Sequence, residues 1–100
     1  KACKKYFIHS LGHWLGLDVH DVGDYEISAD ELQCRAFVPG MVLTIEPGLY
    51  MPLDDIDLDP QWRGIGIRIE DNIVVTETGC ENLTQYCPET VADIEALMAN

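Results

Sequence analysis

The clearest pattern in the chain is the strict alternation of Gly64-Ile65-Gly66-Ile67-Arg68-Ile69-Glu70. It sends Ile65, Ile67 and Ile69 to one side of a strand and Gly66, Arg68 and Glu70 to the other. The isoleucine side is expected to be core. On the opposite side, glycine in a strongly β-forming run implies that something approaches the backbone closely. Upstream, Met41-Val42-Leu43-Thr44-Ile45-Glu46 has the β-branched content of a strand. The turn signal Pro39-Gly40 opens it, and Pro47, which has no ladder donor and disfavours helical geometry at Glu46, closes it. Glu46 is thereby expected at a strand end, where its side chain can be aimed into a cleft. Asp71-Asn72-Ile73-Val74-Val75-Thr76 continues the second run, with its phase blurred near Asp71-Asn72 as a bulge would blur it. Residues 77–80 turn the chain, and Glu81-Asn82-Leu83-Thr84 returns as a short partner strand.

Helical signals sit at the two ends. Residues 1–8 read as the last turns of a helix, with Lys1, Lys4 and Lys5 where cations offset the helix dipole. Thr90-Val91-Ala92-Asp93 matches a capping box, and Val91, Ile94, Leu97 and Met98 share one helical face, which predicts a short terminal helix packed by its apolar stripe. Residues 24–40 are polar, residues 51–63 form an acidic loop, and residues 10–23 hold neither period for long.

Composition changes this picture in three ways. A chain of 100 residues with 47% hydrophobic content is enough for one compact unit with a core. The apolar Tyr6-Phe7-Ile8, however, follows Lys1 like the end of an element already under way, so residues 1–100 are expected to be a single partial domain, a fragment of a longer protein. The formal net charge of −12 argues against nucleic acid and anionic membrane partners, for which positive charge supplies the affinity. No stretch approaches the roughly 20 apolar residues of a membrane span. Asp54, Asp55, Asp57 and Asp59 lie in a Pro-bounded loop without His or Cys nearby and are expected to be solvated surface. Cys3, Cys34, Cys80 and Cys87 form no CxxC pair; an even count permits disulfides, but in a core-rich chain it fits reduced thiols in a cytoplasm.

Three histidines, His9, His13 and His20, fall within residues 9–20, and two glutamates, Glu46 and Glu70, stand among apolar residues at or near strand ends. A carboxylate among isoleucines loses hydration that a cation or hydrogen bonds must replace. From the residues alone, two accounts stay open: a metal site, or an ion pair of Glu70 with Arg68 and a loop cap by Glu46. Trp14 and Trp62 fit packing or pocket walls rather than chemistry.

Three blocks in fixed order, HSLGHWLGLDVHDVG (9–23), PGMVLTIEPGLY (39–50) and RGIGIRIEDNIVVTETGCENLT (63–84), resemble the C-terminal motifs of the aminopeptidase P and proline dipeptidase family of metallopeptidases, which also includes methionine aminopeptidase. The resemblance implies the C-terminal portion of the pita-bread fold, an α+β architecture with a curved antiparallel sheet and outer helices. It implies a site for two divalent metal ions, commonly manganese, held by His13, Glu46 and Glu70 together with two Asp that precede this chain. Carboxylate-rich ligation with a single imidazole suits hard ions, and a hydroxide bridging two of them would serve as nucleophile. His20 is similar to the family histidine that contacts the substrate and assists proton transfer, and His9 to one lining the substrate side. Arg68 resembles an arginine that orients ligand carboxylates, and Tyr50 is expected near the same shell and the substrate. The context looks most like bacterial-type aminopeptidase P, a metalloaminopeptidase releasing an N-terminal residue that precedes proline. Proline dipeptidase, and a non-catalytic binding module of the same fold, are the alternatives. Peptides with proline at the second position, a homo-oligomeric full-length protein and a cytoplasmic location are the corresponding expectations. With half the ligand charge missing, the isolated chain is expected to bind metal weakly and to be inactive.

Overall fold

The structure, a computed structural model, describes residues 3–28 and 33–99. Its centre is one long hairpin with a break in the middle. The strands β3 (Val42–Ile45) and β4 (Gly48–Tyr50) run up one arm, and β5 (Gly66–Arg68) and β6 (Asp71–Thr76) run down the other. β3 pairs with β6 from Val42 opposite Val74 to Ile45 opposite Asp71. β4 pairs with β5 from Gly48 opposite Arg68 to Tyr50 opposite Gly66. The register is the same on both sides of the break, so Glu46 stands opposite Glu70 and Pro47 opposite Ile69. Pro47 is the cause: the Ile69 amide donates to the Pro47 carbonyl at 3.2 Å, but Pro47 has no N–H to return. The phase blur at Asp71-Asn72 therefore marks this break between ladders and not a bulge.

β7 (Gly79–Asn82) extends the β3–β6 sheet beyond a two-residue turn, Glu77-Thr78, with Thr76 opposite Gly79. On the other flank of β3, residues 11–15 lie alongside without regular strand geometry: the Thr44 amide donates to the His13 carbonyl at 2.9 Å, Glu46 to Leu11 at 2.7 Å, and Leu15 to Val42 at 3.1 Å. Two further short strands, β1 (Glu26–Ser28) and β2 (Gln33–Cys34), pair in the stretch whose polarity gave no strand signal. Part of that stretch, residues 29–32, lies outside the described residues.

Gly66 is explained by a side chain. The Tyr50 ring lies over both arms of the hairpin, and a Cβ on Gly66 would stand 3.1 Å from it, one on Gly48 2.9 Å. Two expectations about packing are corrected. Ile65, Ile67 and Ile69 do share a face, but they are 41%, 55% and 41% exposed, and no apolar residue among those described is fully buried. α2 (Val91–Met98) forms where the capping box predicts, with the Thr90 hydroxyl accepting from the Asp93 amide at 3.2 Å, yet Val91, Ile94, Leu97 and Met98 remain exposed. Periodicity fixes which residues share a face; burial needs a second layer, and none among the described residues covers these faces. The radius of gyration, 17.2 Å, exceeds the roughly 13 Å of a compact domain of this length, in keeping with the open shape.

The acidic loop is tied down rather than merely solvated. Lys5 of α1 (Cys3–Tyr6) reaches Asp55 at 2.7 Å and Asp57 at 3.2 Å, and the Tyr6 hydroxyl donates to Asp55 at 3.1 Å. Asp59 caps a 3₁₀ turn, Pro60–Trp62, and Arg63 donates to the Leu58 carbonyl from two nitrogens. The Lys5 hydrogen bond holds the Asp55 carboxyl below its ordinary value of 3.8. A lowered carboxyl pKa contributes stability that is present above the unfolded value and lost as pH falls through the folded one. Acid titration of the chain should therefore show a loss of stability below pH 3.8 that Asp55→Asn removes, since the asparagine has no proton to gain. Identical acid profiles for the two proteins, followed by circular dichroism, would contradict it.

Candidate metal centre

Glu46 is placed by the break in the hairpin. The strands β3 and β4 on either side of the break are locked in ladders, and Thr44, 1% exposed and on the same face two positions earlier, donates its hydroxyl proton to Glu46 Oε1 at 3.2 Å. Glu46 is itself buried, at 8% exposure. Glu70 enters from the opposite arm at the same level. Pairs in an antiparallel ladder alternate, and the one at Glu46 and Glu70 is of the closely spaced, non-hydrogen-bonded kind. Like charges directly opposite each other are destabilising unless a cation lies between or beside them.

His13 comes from the flanking segment. Its ring Nδ1 lies 2.9 Å from the Trp14 carbonyl, which can only accept, so Nδ1 carries the proton. In the neutral ring the Nε2 lone pair then faces Glu46 Oε1 at 3.3 Å. Two electron-rich atoms at that distance need something positive between them. His13, Glu46 and Glu70 each offer one ligand atom, all within 4.8 Å of one another. An imidazole nitrogen with its tautomer fixed by a backbone carbonyl, plus two carboxylates, is a donor set that fits a hard divalent ion. Arg68 supplies the positive charge present, with Nε 3.7 Å from Glu46 Oε2 and 3.9 Å from Glu70 Oε2. One guanidinium faces two carboxylates, which leaves the cluster anionic.

The remaining sequence candidates fall around this cluster. His20 stands edge to face with His13, ring centroids 4.2 Å apart. His9 donates from Nδ1 to the Ser10 carbonyl at 2.7 Å, so its Nε2 accepts from the Tyr50 hydroxyl at 3.0 Å. A cleft of about 320 Å³ is lined by His9, His13, His20, Glu46 and Arg68 among others. Trp14 is a wall, as expected: it stacks on Tyr25 at 5.5 Å, and Gly23 is small because the indole lies against it. Trp62 sits apart in the 3₁₀ turn. Asp71, beside Glu70, accepts from Thr84 at 2.7 Å, and this bond, with Asn82, holds its carboxyl below the usual range and pins the 82–84 turn against β6. Sequence reasoning missed Thr44 and Tyr25. Thr44 had a signal, its two-residue spacing from Glu46; Tyr25 had none.

Residues 1–77 match the profile of metallopeptidase family M24. The chain belongs to that family. It is 56% identical over 97 residues to the Xaa-Pro aminopeptidase of Escherichia coli strain K12, an alignment covering 97% of this chain and 21% of that protein. Its coordinates superpose on the aminopeptidase PepP of Pseudomonas aeruginosa with a TM-score of 0.90 at 53% identity, over 98% of this chain and 22% of the other. They superpose equally well in extent on E. coli aminopeptidase P with the inhibitor Pro-Leu, with a TM-score of 0.85 at 55% identity, covering 21% of that chain. The chain thus spans about a fifth of the length of the M24 relatives it matches. Its antiparallel sheets and few helices are α+β, a portion of the pita-bread fold of those aminopeptidases. A group that could hold a metal ion, His13, Glu46 and Glu70, accords with the metallopeptidase character of the M24 family.

Proposed function

We propose that this chain is part of the catalytic domain of a Xaa-Pro aminopeptidase, a hydrolase that releases an N-terminal residue preceding proline. The observation that carries this is the convergence of His13, Glu46 and Glu70 within 4.8 Å in a chain whose M24 relatives are named for that activity. Two divalent ions, most suitably manganese, would be held by these three residues and by two Asp from a preceding part of the domain. When bound, the ions supply Lewis-acid activation of water and of the scissile carbonyl. Every other contribution belongs to this chain's own groups. The Trp14 carbonyl keeps the His13 Nε2 lone pair free, Arg68 orients Glu46 and Glu70, and His20 offers a ring to the peptide for proton transfer. His9, fixed by Ser10 and Tyr50, lines the substrate side.

The exposed free thiols of Cys34, Cys80 and Cys87 suit a reducing cytoplasm. With three ligands of five, the isolated chain should bind metal weakly and hydrolyse nothing. The test is cleavage by the full-length protein with manganese: a Xaa-Pro-Yaa tripeptide should lose its first residue. Cleavage of Xaa-Pro dipeptides alone would make the protein a proline dipeptidase instead.

A further inference from the structure

We propose that Thr44 is a positioning residue for the metal centre, setting the direction of the Glu46 carboxylate and the placement of His13 with a single hydroxyl group; the inference rests on the metal-site reading above. Thr44 is the most buried polar side chain described, at 1% exposure. Its Oγ1 accepts the His13 backbone N–H at 3.0 Å. A hydroxyl has one proton, so with Oγ1 accepting on that side the proton points to Glu46 Oε1, 3.2 Å away. The same atom of Glu46 faces His13 Nε2 at 3.3 Å. One side chain thus links the backbone of one proposed ligand to the carboxylate of another and closes a ring of contacts through Thr44, His13 and Glu46.

The polarity of that ring is fixed. Donation to Glu46 fixes which carboxylate oxygen faces Thr44 and leaves Oε2 directed toward Arg68. Outer partners of metal ligands are commonly worth 10–100-fold in affinity. Valine has the shape of threonine without the hydroxyl, so Thr44→Val removes both hydrogen bonds and adds no bulk.

In the full-length protein, manganese titration by calorimetry should show Thr44→Ser within a few-fold of wild type and Thr44→Val weakened by about 10–100-fold. Thr44→Cys, which keeps a weaker donor, should fall between them, and this order remains readable if the valine protein does not fold. A purely structural role would lower the melting temperature of metal-free and metal-loaded protein by the same amount and leave the affinity unchanged. The proposal is overturned if the serine and cysteine proteins bind manganese equally well or if Thr44→Val binds it like wild type. If wild type itself takes up no manganese, or His13→Ala leaves uptake intact, the metal-site reading falls and takes the proposal with it.

Discussion

Replacing Glu46 by Gln in the full-length protein should weaken manganese binding by more than about 100-fold, since even residues that only orient ligands contribute 10–100-fold. Hydrolysis of a Xaa-Pro-Yaa peptide should fall in parallel. The metal-free protein should behave in the opposite sense. Gln keeps the volume of Glu and still accepts the Thr44 proton, but it removes one of two carboxylates that stand opposite each other across the hairpin and face an imidazole lone pair. Relief of that repulsion leaves the melting temperature of the metal-free protein unchanged or raises it. Loss of binding with no loss of apo stability is the signature of a site arranged for a cation. A residue serving only as a buried ion-pair partner of Arg68 would give the reverse, a destabilised protein with metal uptake intact, because Arg68 would be left without its closest carboxylate. Calorimetric titration and thermal melts on the same two proteins separate the cases.

Gly12→Ala should be the most damaging single-methyl change in the chain. A Cβ at Gly12 would be driven into the Thr44 carbonyl oxygen and would stand 2.9 Å from its carbonyl carbon. Both are backbone atoms of β3 and cannot rotate aside, so residues 11–15 must lift away from the strand. That strains the Leu11–Glu46 and His13–Thr44 hydrogen bonds and moves the His13 ring with them. Overpacking of this kind costs about 1–3 kcal/mol, and metal affinity should fall with it because a ligand is displaced. Gly79→Ala is the control: nothing lies within 4 Å of a Cβ there, and its melting temperature should stay close to wild type. Equal melting curves for the two alanine proteins would show that the close approach at Gly12 is not needed.

The strand-end position of Glu46 and the shared face of Arg68 and Glu70 were legible in the sequence because their determinants are local, while their grouping with His13 came only from the motif resemblance. Pro47 stops a strand whatever surrounds it, so Glu46 had to stand at a strand end. The alternation from Ile65 to Glu70 had to place Arg68 and Glu70 on one face. What could not be read was the pairing across the chain. That Glu46 faces Glu70 depends on a register shared by two ladders separated by a break, and no local propensity encodes it. Thr44 was passed over for a related reason: its spacing from Glu46 was visible, but only the approach of residues 11–15 gives its hydroxyl a second partner. The isoleucine face and the stripe of α2 mark the opposite limit. Their patterns are correct as patterns, but a pattern states which side is apolar, and burial depends on another layer arriving to cover it.

The interrupted ladder at Glu46-Pro47 and Ile69-Glu70 is where the hairpin can crease. Within β3–β6 and β4–β5 the arms are laced on both sides of it, while at the crease one hydrogen bond, Ile69 to Pro47, spans the arms where a pair of ordinary residues would exchange two. An ion gripped by Glu46 and Glu70 would bridge the weakest rung from the other face of the hairpin, acting as a rivet through a fold line. The two proposed carboxylate ligands would then set how the two arms meet as well as hold the ion, and the cleft that Glu46 lines would stiffen as the site fills.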